Sequence, residues 1–231
     1  MLNDAADIGW LLASMAEVPA EVPEDDGWLT PAERERLAGF GVPSRRADWR
    51  LGRWVAKRAV AAFLGGTREP IEIRAAADGA PEAFLAGKPA PVVLSISHRN
   101  GFGLCAVAAP SVALGCDLER IEPRSDEFVE DFFTAGEQAW LHRHPAADAP
   151  LLANLIWSAK ESALKALRQG LRLNTRLVEV CLPAGAGAGA WSPLSVRSHA
   201  TGETFHGWWR SLDGCVLTVA AAPRLGLPRA L

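Results

Sequence analysis

The chain has 231 residues, of which 49% are hydrophobic and 22% are charged, so it can bury the core of one large domain or of two small ones. Its formal net charge of −3 argues against general affinity for nucleic acid, which depends on a basic surface. No apolar run approaches the roughly 20 residues that span a bilayer, and Asp4 and Asp7 lie where a signal peptide carries positive charge, so we expect a cytoplasmic protein with no membrane partner.

The periodicity of apolar residues predicts an α+β fold. Helices are predicted over residues 30–40, 44–64, 125–143 and 149–169. Strands are predicted over residues 92–97, 103–109, 112–119, 178–182, 194–199, 204–212 and 215–221. Several of these strands follow one another in hairpin order, and helices packed against antiparallel sheets make an α+β fold.

The second predicted helix begins with a basic segment. Residues 45–58 contain five arginines and one lysine against a single acid. One interpretation is the solvent face of an amphipathic helix, with Trp49, Trp54 and Val55 on its apolar side. The other is a phosphate-binding surface, because the fork of an arginine side chain matches phosphate oxygens. Both interpretations stay open at this point.

Two later segments place three carboxylates and an ammonium where they can meet. Asp117 and Glu119 are two residues apart in a predicted strand, so they share one side of the sheet. Glu161 and Lys165 are one helical turn apart and are therefore neighbours in space. Oxygen ligands without cysteine or histidine suit Mg²⁺, which binds a few carboxylates together with substrate phosphates. The pattern favours phosphoryl or phosphodiester transfer.

An internal repeat suggests that the chain consists of two similar halves. The repeated blocks are residues 29–33 and 133–137, the helix segments 54–57 and 157–160, and the half ends 101–110 and 214–223. Their common order indicates duplication and predicts two pseudo-symmetric α/β lobes, residues 1–110 and 111–231. In this alignment Arg58 corresponds to Glu161, so one copy supplies a base and the other an acid. We therefore expect the active site at the seam of the lobes.

Three segments resemble the 4'-phosphopantetheinyl transferase superfamily. Residues 115–119 (GCDLE) and 157–165 (WSAKESALK) resemble its two signature motifs, and residues 95–98 (SISH) resemble its short segment that contacts coenzyme A. The chain length resembles the surfactin-synthetase-activating (Sfp) type, a single chain of two similar halves. The resemblance implies Mg²⁺-dependent transfer of the 4'-phosphopantetheine arm of coenzyme A, the co-substrate, to a serine hydroxyl of an apo acyl or peptidyl carrier protein. Adenosine 3',5'-bisphosphate would be released, and a monomer is expected.

The resemblance also implies roles for residues of the second half. Asp117, Glu119 and Glu161 would hold Mg²⁺. Glu161 would in addition take the proton from the serine hydroxyl. Lys165 would bind the phosphate that carries the pantetheine arm or stabilise the leaving group, so Glu161 and Lys165 are the expected catalytic residues.

The first half would bind coenzyme A. Ser97 and His98 match the contact segment of the family. Within the basic segment, we expect Arg46 and Arg53 to bind the phosphates of coenzyme A. The family commonly has a Gly-Lys-Pro sequence before this segment. Here residues 79–81 read Gly-Ala-Pro and residues 87–89 read Gly-Lys-Pro, so the sequence does not decide whether Lys88 or no residue replaces that lysine.

Two other classes of protein fit parts of the pattern. Another Mg²⁺-dependent phosphotransfer enzyme could use the same three carboxylates, although no phosphate-binding Gly-rich loop or histidine-based motif accompanies them. A noncatalytic coenzyme A-binding protein is the other alternative, and loss of a metal ligand would distinguish it. All three carboxylates are present in this chain.

Overall fold

The computed structural model describes residues 7–15, 26–67, 69–183 and 190–231. The helices are α1 (Pro31–Ala38), α2 (Pro43–Phe63), α3 (Asp126–Phe132), α4 (Ala135–Leu141) and α5 (Ala149–Ala166). The strands are β1 (Gly9–Ser14), β2 (Ile71–Ala75), β3 (Pro81–Leu85), β4 (Lys88–Pro89), β5 (Val93–Arg99), β6 (Phe102–Ala108), β7 (Ala113–Arg120), β8 (Val178–Cys181), β9 (Ser192–Ser198), β10 (Thr204–Leu212), β11 (Cys215–Ala222) and β12 (Arg229–Ala230). The mixture of helices and antiparallel sheets confirms the predicted α+β class.

The chain divides into two compact units. One unit consists of the chain up to Ser111 together with Pro228–Leu231, and the other is Val112–Leu227. The last residues of the chain belong to the first unit because β12 pairs in parallel with β1, which places Arg229 beside Gly9.

The first unit packs helix α2 on a sheet whose pairings are antiparallel except that of β12 with β1. This sheet has the strand order β12-β1-β6-β5, and a separate small sheet has the order β2-β3-β4. Leu51 and Val55 of α2 are fully buried against the sheet. A Cβ atom added to Gly103 of β6 would lie 2.9 Å from Leu51 Cγ and 3.1 Å from Val55 Cγ2, so α2 lies close to the middle of the sheet.

The second unit repeats this arrangement with a longer sheet. Its strand order is β7-β11-β10-β9-β8, and all four pairings are antiparallel. Helix α5 packs on this sheet and is buried along most of its length. The core includes Ala159 and Leu164 of α5 with Phe205 and Val216 of the sheet. Helix α5 therefore lies on one face of the sheet, over β7 and β11.

The helix predicted over residues 125–143 is wrong as a single element. Helix α3 ends and α4 begins around Phe133 and Thr134, whose backbones are extended, with ψ of 148° and 158°. Phe133 is fully buried, while Thr134 caps α4 through a reciprocal capping box with Glu137. The same box, Thr30 with Glu33, begins α1.

Five strands lie outside those that the sequence predicts. They are β1, β2, β3, β4 and β12. The other strands and the helices α1, α2 and α5 lie within a few residues of their predicted bounds. Among the helices of the described residues, none is both long enough and apolar enough to cross a membrane.

Candidate active site

Strand β7 brings two carboxylates to the face that α5 covers. Asp117 is 2% exposed and Glu119 is 8% exposed, and their spacing puts both side chains on one face. Thr218 lies opposite Asp117 in the neighbouring strand. Its hydroxyl forms hydrogen bonds of 2.8 Å with Ser158 Oγ and 2.7 Å with Ser162 Oγ. Helix α5 is therefore tied to the sheet beside the two carboxylates.

Gly115 permits the close approach of α5 to β7. A Cβ atom at this position would lie 1.8 Å from the carbonyl oxygen of Ser162 and 2.8 Å from the amide nitrogen of Ala166. These are backbone atoms that cannot rotate away, so only glycine fits here. The glycine of the GCDLE segment thus sets the separation between the side chains of β7 and those of α5.

Helix α5 adds Glu161 and Lys165 to the carboxylates of β7. Lys165 Nζ lies 2.7 Å from Asp117 Oδ1 and 3.7 Å from Glu161 Oε2, and it donates to the carbonyl oxygen of Cys116 at 3.1 Å. We refer to Asp117, Glu119, Glu161 and Lys165 as the carboxylate cluster. Glu161 and Lys165 are neighbours in space as predicted, but Asp117 is the closer partner of the ammonium.

The charges of the cluster perturb one another. Burial raises the pKa of Glu161 to about 7, and the negative charge of Asp117 adds to this effect. Burial alone would lower the pKa of Lys165, but the carboxylates of Asp117 and Glu161 outweigh it and raise the pKa above its usual value. Lys165 is therefore a permanent cation, whereas Glu161 can gain a proton near neutral pH.

Both oxygens of Glu119 are held by donors that the sequence did not identify. Trp157 Nε1 donates to Glu119 Oε1 at 3.1 Å, and Arg124 Nη2 donates to Glu119 Oε2 at 2.9 Å. Arg124 Nε donates in turn to Asn154 Oδ1 at 2.7 Å. A single arginine after a strand is typical of a surface residue, so no sequence signal indicated this contact.

A second buried ion pair lies on another side of α5. Lys160 is 0% exposed, and its Nζ lies 2.8 Å from Glu137 Oε2 and donates to the carbonyl oxygens of Thr175 and Val178. Glu137 Oε1 accepts from the amide of Val180 at 2.8 Å. The pair therefore joins α5, α4 and β8. The capping sequence around Glu137 could have indicated part of this role.

The carboxylate oxygens of the cluster are the type of ligand that a hard divalent cation prefers. The cluster has three carboxylates, and burial together with the negative charges of Asp117 and Glu119 raises the pKa of Glu161. Within the part of the chain that the structure describes, however, no group of three His, Cys, Asp or Glu side chains is arranged to hold a metal ion. The ammonium of Lys165 lies between Asp117 and Glu161 instead. The predicted magnesium site stays a prediction.

In the first unit, two of the predicted coenzyme A contacts share a cavity. The cavity has a volume of about 190 Å³ and is lined by Trp49, Gly52, Arg53, Ala75, Gly79, Pro81, Ile96 and His98. Arg53 Cζ lies 4.7 Å from the centroid of the Trp49 ring. Burial lowers the pKa of Arg53, and among the described residues its Nε has no hydrogen-bond partner.

The other predicted contacts of the first unit lie outside this cavity lining. Arg46 Nη2 lies 3.6 Å from Asp26 Oδ2, and Arg46 Nη1 donates to the carbonyl oxygen of Leu37. Ser97 is buried, and its side chain points to the face of β5 opposite to that of His98. Lys88 is exposed in β4, whereas Gly79 and Pro81 line the cavity. The Gly-Ala-Pro sequence is thus the one beside His98.

Comparison with known proteins supports both halves of the resemblance. The sequence profile of the 4'-phosphopantetheinyl transferase superfamily matches residues 113–220, and that of the 4'-phosphopantetheinyl transferase N-terminal domain matches residues 33–108. The chain is 31% identical over 77 residues to the 4'-phosphopantetheinyl transferase gsp of Aneurinibacillus migulanus. That match covers 33% of this chain and spans 32% of the length of the relative.

A solved structure is also similar to this chain. It is a holo-(acyl-carrier-protein) synthase from Bacillus anthracis str. Ames in complex with CoA (3',5'-ADP), with 25% identity and a TM-score of 0.38. The similarity covers 45% of this chain and 95% of that chain.

Proposed function

The chain belongs to the 4'-phosphopantetheinyl transferase superfamily, and we propose that it transfers the 4'-phosphopantetheine arm of coenzyme A to a serine hydroxyl of an apo acyl or peptidyl carrier protein. Adenosine 3',5'-bisphosphate leaves. The two matching profiles together span most of the chain, which confirms the predicted family and its long, Sfp type. The observation that carries the proposed activity is the carboxylate cluster, because it combines hard oxygen donors with a fixed cation beside them.

Asp117, Glu119 and Glu161 would hold a Mg²⁺ ion. When bound, this ion supplies positive charge that neutralises the pyrophosphate of coenzyme A as its phosphoanhydride bond breaks. The chain itself supplies the negative charge that attracts the ion. Asp117 and Glu119 are almost wholly buried, so they lose little bound water when they bind the ion.

Glu161 takes the proton of the attacking serine hydroxyl. Its side chain is 21% exposed, against 3% for Asp117 and 10% for Glu119. It is therefore the carboxylate that an incoming hydroxyl group can reach, directly or through one water molecule. Asp117 and Glu119 act as ligands.

Lys165 can donate its remaining N–H group to a phosphate of coenzyme A. Its ammonium carries three N–H donors, of which Asp117 and the carbonyl oxygen of Cys116 accept two. The side chain is 28% exposed, so a phosphate oxygen can approach the ammonium. An ammonium stabilises phosphate as a point charge without demanding bidentate geometry.

Residues of the first unit bind the phosphates of coenzyme A. Arg53 and His98 line one cavity, and the buried Arg53 Nε is a donor that a phosphate oxygen can satisfy. Arg46 and Ser97 stay predicted contacts, although neither lines this cavity. Gly79 and Pro81 line this cavity with Ala80 between them, so the segment beside His98 offers no lysine to a phosphate.

The internal contacts of the two units support the proposed duplication. In the first unit Glu33 Oε2 accepts from Lys57 Nζ and from the amide of Thr30, and its Oε1 accepts from the amide of Ile73. In the second unit Glu137 makes the same three types of contact, with a lysine of α5, its own cap residue and a strand amide. We propose two pseudo-symmetric lobes, 1–110 and 111–231, within a monomer.

Intact mass spectrometry of carrier proteins tests the proposed reaction. The full chain is incubated with coenzyme A, Mg²⁺ and a panel of apo acyl and peptidyl carrier proteins. The expected result is a mass gain of one phosphopantetheine on at least one carrier, lost with EDTA and in Glu161→Gln. The matched control is Glu203→Gln, which removes an exposed carboxylate of the same unit and should keep activity. Coenzyme A binding without any mass gain would favour the noncatalytic alternative.

The coenzyme A site has its own test. Arg53→Met should raise the KM for coenzyme A by about 10-fold or more, because a charge-assisted phosphate contact contributes about 1.5–3 kcal/mol. Arg229→Met, at an exposed position of the same unit, should leave the KM unchanged. Equal KM values for the two variants would remove Arg53 from the site.

A further inference from the structure

We propose that Arg124, anchored by Asn154, is the positioning residue that holds the Glu119 carboxylate in the orientation required for binding a divalent cation. This inference rests on the proposed function, because it concerns one of the three proposed ligands. Arg124 itself does not contact coenzyme A or the reacting atoms in this role. It acts through Glu119.

Arg124 is fixed on three sides. Its Nη2 lies 2.9 Å from Glu119 Oε2, its Nε lies 2.7 Å from Asn154 Oδ1, and its Cζ lies 4.7 Å from the centroid of the Phe128 ring. The ion pair is only 15% exposed at Arg124 and 10% at Glu119. Solvent therefore screens it much less than a surface salt bridge.

Asn154 holds the arginine because its own amide cannot turn. The residue is 0% exposed, and its Nδ2 donates to the carbonyl oxygens of Glu122 at 2.7 Å and Pro150 at 2.6 Å. Two carbonyl oxygens can accept only from the NH₂ group, so Oδ1 must face the N–H of Arg124. Asn154 also joins the first turn of α5 to the segment that follows β7.

A second donor completes the restraint on Glu119. Trp157 Nε1 holds Oε1 while Arg124 holds Oε2, so the carboxylate group cannot rotate without losing one of the two bonds. Phe128 braces both donors, since its ring lies 5.0 Å from the Trp157 ring and against Arg124. A carboxylate oxygen has two lone pairs, so a bond from one donor does not exclude a second partner. Donors that orient metal-binding carboxylates in this way typically change metal affinity about 10–100-fold when removed.

Charge and orientation predict opposite effects for the loss of Arg124. Removing a cation from the neighbourhood of the carboxylates should by itself tighten the binding of a divalent cation. Releasing Glu119 from its orientation should weaken it. Arg124→Met removes charge and geometry together, whereas Arg124→Lys keeps the charge but cannot reach Glu119 and Asn154 with two separate N–H groups of a fixed fork.

Binding of Mn²⁺ to the full-length protein without coenzyme A, followed by electron paramagnetic resonance at low temperature, distinguishes these effects. Arg124→Met should raise the Kd for Mn²⁺ about 10-fold or more, and Arg124→Lys should raise it by at least about fivefold. Arg120→Met is the matched control. It removes an exposed charge one residue from Glu119 and on the opposite face of β7, and its Kd should stay within about twofold of the wild type.

The results that overturn the proposal are distinct. A Kd for Arg124→Met that is unchanged or lower shows that orientation by Arg124 does not matter. A raised Kd for Arg124→Met that Arg124→Lys restores fully shows that the two-pronged contact of arginine is not needed to hold Glu119. A lower unfolding temperature in EDTA with an unchanged Kd shows a purely structural role, and a wild type that binds no Mn²⁺ removes the site itself. If the wild type modifies no carrier but the expected order of Kd values is found, the proposed function fails while the positioning role stands.

Discussion

Replacing Lys165 with methionine is expected to tighten the binding of Mn²⁺ in the absence of coenzyme A, although it removes a proposed catalytic residue. The ammonium lies 2.7 Å from Asp117 and 3.7 Å from Glu161, between two of the proposed ligands. A divalent cation that binds both carboxylates must therefore displace it. Methionine has a similar length and no charge, so the two carboxylates become available without a competitor.

The distances give the size of the effect. Two unit charges about 4 Å apart interact by about 4 kcal/mol at an effective dielectric constant near 20. Lys165 is 28% exposed, so water reduces this interaction. Even about one third of it corresponds to a roughly tenfold lower Kd. The transfer rate should fall at the same time by about 100-fold or more, because the phosphate loses a fixed cation.

Titration with Mn²⁺ at pH 8.5 measures this change. At that pH the wild-type Glu161, with a pKa of about 7, is ionised. Arg197→Met serves as the control because it removes an exposed positive charge of β9 in the same unit, and it should leave the Kd unchanged. A Kd for Lys165→Met equal to or higher than that of the wild type would refute the reasoning that Lys165 competes with the cation.

Three further predictions concern stability, each measured by chemical denaturation in EDTA. Between pH 4.5 and 7 Glu161 should make the free energy of unfolding fall by about 3 kcal/mol. Burial and a neighbouring negative charge raise its pKa to about 7, so its contribution to stability is complete below pH 4.5 and is lost as the pH rises. If the free energy of unfolding has the same slope against pH in Glu161→Gln as in the wild type, this prediction is contradicted. Glu137→Gln should lower the free energy of unfolding by about 3–5 kcal/mol, because its partner Lys160 is fully buried. The control Glu72→Gln, in an exposed ion pair, should lower it by at most about 1 kcal/mol. Equal losses in the two variants would contradict this prediction. Gly115→Ala should cost about 3 kcal/mol, because its Cβ atom would overlap backbone atoms of α5. Gly41→Ala, where a Cβ atom meets nothing within 4 Å, should change the free energy by less than about 0.5 kcal/mol, and similar values for the two glycines would refute the close-packing argument.

The fold was predictable from sequence where structure is local. Helix α5 and the hairpin of β10 with β11 follow from periodicity and turn residues within one stretch of chain. The pairing of β1 with β12 does not, because it joins opposite ends of the chain and its two residue pairs leave no pattern in either segment. The break between α3 and α4 was in principle visible. Thr134 and Glu137 form a capping box, and such a box begins a helix rather than continuing one.

The candidate site was predictable in its acids but not in the groups that hold them. Spacing alone placed Asp117 beside Glu119, and Glu161 beside Lys165. It could not show that Arg124 contacts both Glu119 and Asn154, because these contacts depend on the path of the chain between β7 and α5. Such contacts have no period along the sequence, and only the packed structure reveals them.

The charge balance of the site explains why these partners are needed. Three carboxylates at low exposure repel one another, and burial makes each charge more costly. Arg124 and Lys165 compensate two of the charges, which leaves an excess of one negative charge. Burial and the neighbouring negative charge raise the pKa of Glu161 to about 7. A divalent cation would remove this excess and leave one positive charge over. A phosphate ester can then bind to that positive charge, so the cation and coenzyme A should each increase the affinity for the other.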